Sequence, residues 1–308
     1  MLKRGLATQQ IAAVILVAMV VAKMSLATSY KYDKITQAWL EHSYEDTHSI
    51  PSDFTIFTMN IWGAPQDEGH PLFRFDERSL ALIKLLNSKN PDFVLLQEVS
   101  PRWAKFLLAH PSIQDRYYVS EINPEVYVQY QDLGQLILSR VPFNAETLSL
   151  GGTFENTLSL AHCKIGEGQP LTIVTTQLSS GKERTQERIA QLSMIYAFLE
   201  SRGNAIVMAG DFNFGDSWQE NQKLNPLYVD VWKKLRPHDF GYTEDSEINR
   251  MRFLVKQAIK QERFDRIFST GVEWDKIAIV GTKPISENTW VSDHFGLFGA
   301  AKLLNTFK

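Results

Sequence analysis

Hydrophobic positions recur along this chain with two periods. Short runs rich in β-branched and aromatic residues fall near 54–60, 92–98, 116–121, 134–140, 157–165, 171–178, 205–211, 264–269 and 291–302, and each predicts a strand. Helical spacing intervenes. Over residues 76–86, Leu80, Ile83 and Leu86 share one face, and Pro91 forbids continuation. Over residues 189–201, Ile189, Leu192, Ile195 and Leu199 share another, ended by Gly203-Asn204. Strands alternating with helices predict the α/β class. The runs at 134–140 and 158–162 read as neighbouring strands. Residues 28–52 are polar and aromatic and read as a linker, with a short helix expected over 34–42. Repeats, heptads and low-complexity segments are absent from the sequence.

Several apolar runs end in polar side chains of catalytic type. Ile206-Val-Met-Ala-Gly-Asp211-Phe-Asn213 drives a buried strand into a carboxylate and an amide, which an extended backbone would point to one face. A carboxylate can orient or deprotonate water, and an amide can donate to a phosphate oxygen. Asn60 follows the run 54–59, and Glu98 follows 93–97. A hard cation such as Mg²⁺ favours carboxylate oxygen, so one well-placed glutamate can suffice. Near the C-terminus come Arg263-Phe-Asp265 and Ser292-Asp293-His294. An aspartate beside a histidine fixes its tautomer and favours the imidazolium, which can donate to a phosphoryl oxygen. Singly, each of these reads equally as a turn or a solvated strand end. Recurrence of the pattern favours a site.

Asn60, Glu98, Asp211-x-Asn213, Asp265 and Asp293-His294, in that order, resemble the endonuclease/exonuclease/phosphatase superfamily from about residue 54 to about 303. Residues 175–192, Val229-Asp-Val-Trp232, Gly241-Tyr-Thr243 and Arg263-Phe-Asp-Arg-Ile-Phe268 are similar to the 5′-tyrosyl-DNA phosphodiesterase branch. The resemblance implies a deoxyribonuclease-I-like, four-layer α/β sandwich over 53–305: two packed mixed sheets flanked by helices. It implies a Mg²⁺-dependent phosphodiesterase, with Mn²⁺ as a substitute. By the same resemblance Glu98 would hold the metal, assisted by Asn60 and Asp293. Asp211 would activate water, Asn213 would contact phosphate, and His294, oriented by Asp265, would stabilise the transition state. Gln177 stands where many members carry histidine; a glutamine donates only a neutral hydrogen bond. Gln177, Arg188, Trp62 and Trp218 are expected to bind substrate.

Charge and the chain's beginning modify this picture. Lys3 and Arg4 lead into an uncharged apolar run over 11–22, and small residues surround Ala27. Residues 1–27 therefore read as a signal peptide or N-terminal anchor, so the protein is expected to be exported or membrane-anchored, with organellar import as the alternative. Residues 1–27 carry Lys3, Arg4 and Lys23 as their only charges, so removing them takes the net charge from −3 to −6. Such a balance disfavours indiscriminate duplex binding. Basic clusters remain at Lys182, Arg184 and Arg188 and at Arg250, Arg252, Lys256, Lys260 and Arg263. Cys163 is the single cysteine, so internal disulfides are excluded. A phosphodiester substrate, with nucleic acid as one form, and a monomer are expected. The expected activity is at a 5′ nucleic-acid end or an aryl linkage. Alternatives are an exported nuclease, a phospholipid or sphingolipid phosphodiesterase, and a weakly catalytic binding module.

Overall fold

Period-two alternation decides the architecture. The computed structural model describes residues 24–45, 50–130, 133–152, 156–203 and 205–304. Its strands are β1 (Met24–Asp33), β2 (Ala38–His42), β3 (Asp53–Asn60), β4 (Phe93–Val99), β5 (Tyr118–Val119), β6 (Gly134–Ser139), β7 (Asn144–Gly151) and β8 (Asn156–Ile165). They continue as β9 (Gln169–Gln177), β10 (Ile206–Asp211), β11 (Val229–Asp230), β12 (Glu244–Asp245), β13 (Gln261–Glu262), β14 (Asp265–Thr270), β15 (Val272–Val280) and β16 (Gly296–Leu303). The helices are α1 (Phe75–Lys89), α2 (Pro101–Ala109), α3 (Pro111–Arg116), α4 (Thr185–Leu199), α5 (Val231–Leu235) and α6 (Arg250–Lys256).

One block of strands runs β11-β14-β10-β9-β8-β7 and the other β5-β6-β4-β3-β16-β15. Ile56, Phe93, Leu95 and Ile137 of one block meet Ala161, Ile173, Val207 and Ile267 of the other in a shared core. The alternate residues face outward. Phe57, Met59, Val94 and Leu96 pack with Leu82, Leu86 and Trp103 of α1 and α2. Leu158, Leu160, Val174 and Met208 pack with Leu192, Ile195 and Leu199 of α4. The result is the expected four-layer α/β sandwich.

Four expectations need correction. Residues 28–42 of the expected linker are a strand hairpin: residues 24–28 pair with β7, and β1 continues into pairings with β2 and β5, so it hydrogen-bonds to both blocks. The helix over 34–42 is a hairpin. Asp33 Oδ1 accepts from the Ile35 and Thr36 amides, and Gln37 takes a positive φ of 53°, which turns the chain back into β2. The runs at 134–140 and 158–162 are not paired neighbours; β6 pairs with β4 and β5, while β8 pairs with β7 and β9. Finally, Leu80 on α1 is 50% exposed, and Arg78 takes an inward place instead. Asn204, expected to end α4, lies outside the described residues.

Candidate active site

Strand register assembles the site. β9 and β10 are parallel, with Gln177 opposite Asp211; β14 runs antiparallel to β10, with Asp265 opposite Asp211. Gln177, Asp211 and Asp265 thus stand in one row at one end of the sheet. Across the sandwich β3 and β4 are parallel, with Asn60 opposite Gln97. Buried Gln97 links the sheets beneath the site, donating to Thr58 Oγ1 at 3.1 Å and Thr175 Oγ1 at 2.8 Å.

Glu98 reaches the cleft through a bulge. The β4–β6 register shifts between Leu96 and Val99, and Glu98 has a φ of 55°. A non-glycine residue held there is strained, and bulges re-aim side chains beside functional sites. Gly63 packs on this bend, where an added Cβ would collide with the Glu98 carbonyl oxygen. Trp62 and Asn213 also have positive φ, 48° and 55°. Asn213 is therefore not on an extended backbone beside Asp211, as its spacing suggested. The chain turns, and its amide N–H donates to Asp211 Oδ1 at 2.9 Å while Nδ2 donates to Asp211 Oδ2 at 3.2 Å and to the Leu178 carbonyl at 2.9 Å.

Amide donors organise the carboxylates. Asn60 Nδ2 donates to Glu98 Oε1 at 2.9 Å and to Asp211 Oδ2 at 3.1 Å. Gln177 Nε2 donates to the same two oxygens, at 2.8 and 3.5 Å. Burial raises the pKa of Glu98 and the Asp293 charge raises it further, against the hydrogen bonds from Asn60 and Gln177. Asp211, almost fully buried, is pushed up to about 7 by burial, with the charges of Asp265 and Glu98 adding to it and His294 and Asn60 opposing.

His294 sits on the loop entering β16. Its Nδ1 lies 2.8 Å from Asp265 Oδ2, and its Nε2 lies 3.4 Å from Glu244 Oε1. Burial disfavours the imidazolium, yet the Asp265 charge and the bonds to Asp265 and Glu244 outweigh it, so its pKa is raised well above 6.5. Thr243 pins both partners: its Oγ1 accepts from the Asp265 amide at 3.0 Å, and its carbonyl accepts from the Phe295 amide at 2.7 Å. Arg78 ties the loops behind the site. Its guanidinium donates to the Val291 carbonyl at 3.0 Å, to the Trp62 carbonyl at 3.2 Å, and to the Ile61 carbonyl.

Glu98, Gln177, Asp211, Asn213, Asp293 and His294 line a cleft of about 800 Å³, with Asn60 and Asp265 immediately behind them. Asp211, Asp265 and His294 bring ligand-type atoms within 4.8 Å of one another, a group compatible with a metal ion. His294 Nδ1 is occupied by Asp265, however, so the donor set that suits a hard divalent cation is oxygen-based: Glu98, with Asp293 and Asp211 nearby. A cation there would offset the burial and mutual repulsion that raise Glu98.

Substrate-binding expectations fare unevenly. Trp218 is half-buried and lines the cleft, with Lys182 Nζ 5.7 Å from its ring centre. Trp62 is only 3% exposed, and its Nε1 is held by Asp67 Oδ2 at 2.7 Å, so the cleft sees little of the ring. Arg188 is corrected: it is fully buried, pairs with buried Glu220 at 2.7 Å, and donates to the Ser179 and Gly181 carbonyls. It braces α4 and does not reach the cleft. Sequence reasoning missed Glu244 and gave Thr243 no role. The only signal was the Gly241-Tyr-Thr243 segment that runs directly into Glu244. Arg252 and Lys260, seen only as part of a basic cluster, also line the cleft.

Comparison with known proteins agrees with this geometry. Residues 57–294 match the model of the Endonuclease/Exonuclease/phosphatase family. Tyrosyl-DNA phosphodiesterase 2 from Danio rerio is 28% identical over 258 residues, covering 80% of this chain and 66% of the relative. The Homo sapiens protein of the same name is 27% identical over 260 residues, covering 80% and 67%. The chain thus spans about two thirds of these relatives' length. The crystal structure of the D. rerio protein complexed with single-strand DNA product has a TM-score of 0.67 at 24% identity, covering 82% of this chain and 99% of that one. An endonuclease/exonuclease/phosphatase family protein from Bacteroides thetaiotaomicron has a TM-score of 0.62 at 14% identity, covering 82% and 98%. The resemblance to the tyrosyl-DNA branch is borne out. The expectation of a signal peptide or membrane anchor, and of an exported, anchored or imported protein, is corrected. The relatives are named for tyrosyl-DNA, and among the described residues no helix is long and apolar enough to cross a membrane. Residues 1–23 lie outside the described residues, while residues 24–27, the expected cleavage region, belong to a paired strand. From its matched residues and its fold alike, the chain belongs to the Endonuclease/Exonuclease/phosphatase family.

Proposed function

We propose that this protein is a divalent-cation-dependent phosphodiesterase that frees a DNA 5′-phosphate end from a phosphotyrosyl linkage. The observation that carries the reading is the row Gln177, Asp211 and Asp265 facing Glu98, with His294 held by Asp265 above it. Support comes also from the relatives' name and from the D. rerio structure with its single-strand DNA product.

Asp211, poised near 7, takes a proton from the attacking water. Asn213 and Asn60 hold its carboxylate in place, so we assign Asn213 an orienting task in addition to any phosphate contact. His294 presents Nε2–H to a non-bridging phosphoryl oxygen, and Asp265 fixes the ring and supports its positive charge. Glu98, with Asp293 beside it, would hold Mg²⁺, or Mn²⁺ in its place, and Asn60, whose oxygen accepts from the Trp62 amide while its Nδ2 donates to Glu98, would orient that carboxylate. When bound, the cation offsets charge on the phosphoryl oxygens and the departing phenolate. A phenolate leaves without strong protonation, since phenols ionise near pH 10. Neutral Gln177 therefore suffices where a charged donor could stand.

The test is hydrolysis of a 5′-phosphotyrosyl oligonucleotide by the full chain with Mg²⁺, with products resolved on a gel. Release of a 5′-phosphate end, abolished by chelator and by Glu98→Ala, is expected. Internal cuts would make the protein a nuclease instead, and an unchanged oligonucleotide would remove the proposal.

A further inference from the structure

Three cationic groups converge on one buried carboxylate at the phosphate-facing side of His294. Glu244 Oε1 lies 3.4 Å from His294 Nε2, Lys260 Nζ lies 2.7 Å from Glu244 Oε2, and Arg252 donates to Glu244 Oε1. Arg252 also reaches Asp293 Oδ2 at 3.2 Å. Glu244 is 1% exposed, and its place is fixed by the β12–β13 pairing, where it stands opposite Glu262. Nδ1 is given to Asp265, so a ligand of His294 must come to Nε2, which already faces Glu244. Any phosphoryl oxygen that approaches Nε2 therefore comes beside a carboxylate that the fold does not let swing freely.

We propose that Glu244 is a specificity determinant that makes this site discriminate against doubly charged phosphate ends. The inference rests on the phosphodiesterase reading. A phosphodiester carries one negative charge. The phosphomonoester product carries close to two above its second ionisation, near pH 6. Glu244 offsets positive charge that Arg252, Lys260 and His294 bring to this side, so a second negative charge gains less here than those cations alone would give it. It therefore weakens product binding more than substrate binding, and the product leaves more readily. Lys260 and Arg252 keep the carboxylate ionised and in place. Without their charges beside it, a carboxyl this deeply buried would neutralise itself by taking up a proton.

The test measures binding, so it stays separate from the turnover assay on which the reading depends. Two single-stranded oligonucleotides of one sequence carry a 3′-fluorophore and end in either a 5′-phosphate or a 5′-methyl phosphate. Their affinities for the full chain are read by fluorescence anisotropy with Mg²⁺ at pH 7.5. Methoxide leaves far more reluctantly than phenolate, so the methyl ester persists during the measurement. In Glu244→Gln the 5′-phosphate end is expected to bind about tenfold more tightly, while the methyl ester changes less than about threefold. Glu244→Asp keeps the charge one methylene further back and should fall between wild type and the glutamine variant. It also guards against a glutamine variant that fails to fold. If both ends move by the same factor, or if aspartate and glutamine behave alike, Glu244 merely holds Arg252 and Lys260, and the proposal is overturned.

Discussion

Replacing Asp211 by asparagine should stabilise the protein while abolishing its activity. Asp211 is 1% exposed, and burial with neighbouring negative charge holds its proton up to about 7 rather than the ordinary 3.8. The sign follows from proton counting. Between those two values the native state keeps a proton that the unfolded chain has released, so native stability falls as pH rises. Each pH unit across that interval removes about 1.4 kcal/mol, so the wild type loses ~4 kcal/mol by the time the pH exceeds 7. That is a large share of the ~5–15 kcal/mol that holds a typical domain together. An amide resembles the protonated acid, with one acceptor oxygen and a donor, and never ionises. Asp211→Asn should therefore match the wild type near pH 4 and pull ahead steadily above it. Urea unfolding with chelator present, at pH 5 and at pH 8.5, should show the gap widening by about 3 kcal/mol. Adding Mg²⁺ should then narrow the gap: both proteins keep Glu98 and Asp293, but only the wild type has an Asp211 carboxylate whose ionisation a nearby cation favours. A gap that stays constant within ~0.5 kcal/mol, or a variant less stable at pH 8.5, would refute the argument that Asp211 is costly to ionise.

Four other outcomes are expected. The pH profile of kcat/KM should rise through about pH 7 as Asp211 loses its proton, and this limb should move to lower pH as divalent cation is raised. Asp265→Asn should lower kcat by about 10²–10⁴-fold. It should also draw the alkaline limb downward, since the charge that raises His294 is gone and the imidazolium is lost at lower pH. Gly63→Ala places a methyl against the Glu98 carbonyl and should cost about 10²-fold in kcat with the circular dichroism spectrum retained. Arg188→Met strands the buried Glu220 carboxylate and should destabilise by about 3–5 kcal/mol, while KM stays within about twofold. A raised KM with unchanged melting would return Arg188 to the substrate.

The strands that carry the site were legible because each is a dense apolar run with a polar terminus. β3, β4, β9, β10 and β14 all lie within two residues of their expected bounds. β7 and β15 were not legible. Glu146 interrupts the first, and Glu273, Asp275 and Lys276 interrupt the second, so neither reads as an apolar run. β1 was hidden differently. Its small and hydroxyl-bearing residues follow an apolar segment and imitate the end of a leader, and only pairing with β7 reveals a strand. Within the site, Asn60, Glu98, Asp211 and Asp265 could be found because each marks a strand end. The turn that bends Asn213 back onto Asp211, and the bulge that aims Glu98, depend on partner strands and leave no local signature. Arg188 illustrates the opposite failure. A basic residue on an amphipathic helix reads as solvated or ligand-binding, and its burial depends on Glu220, 32 residues away.

The path of β1 has a consequence for handling this protein. Residues 24–28 cover the side of β7 that faces away from β8, and the rest of the strand runs on into the opposite block. Trimming the chain at residue 28, as a leader would invite, strips that cover from β7. It leaves a row of unpaired amide and carbonyl groups, which is a template for adding a strand from another molecule. A shortened preparation of this kind would invite self-association and insolubility with every residue of the cleft still present. Its low recovery of activity would then reflect aggregation rather than chemistry.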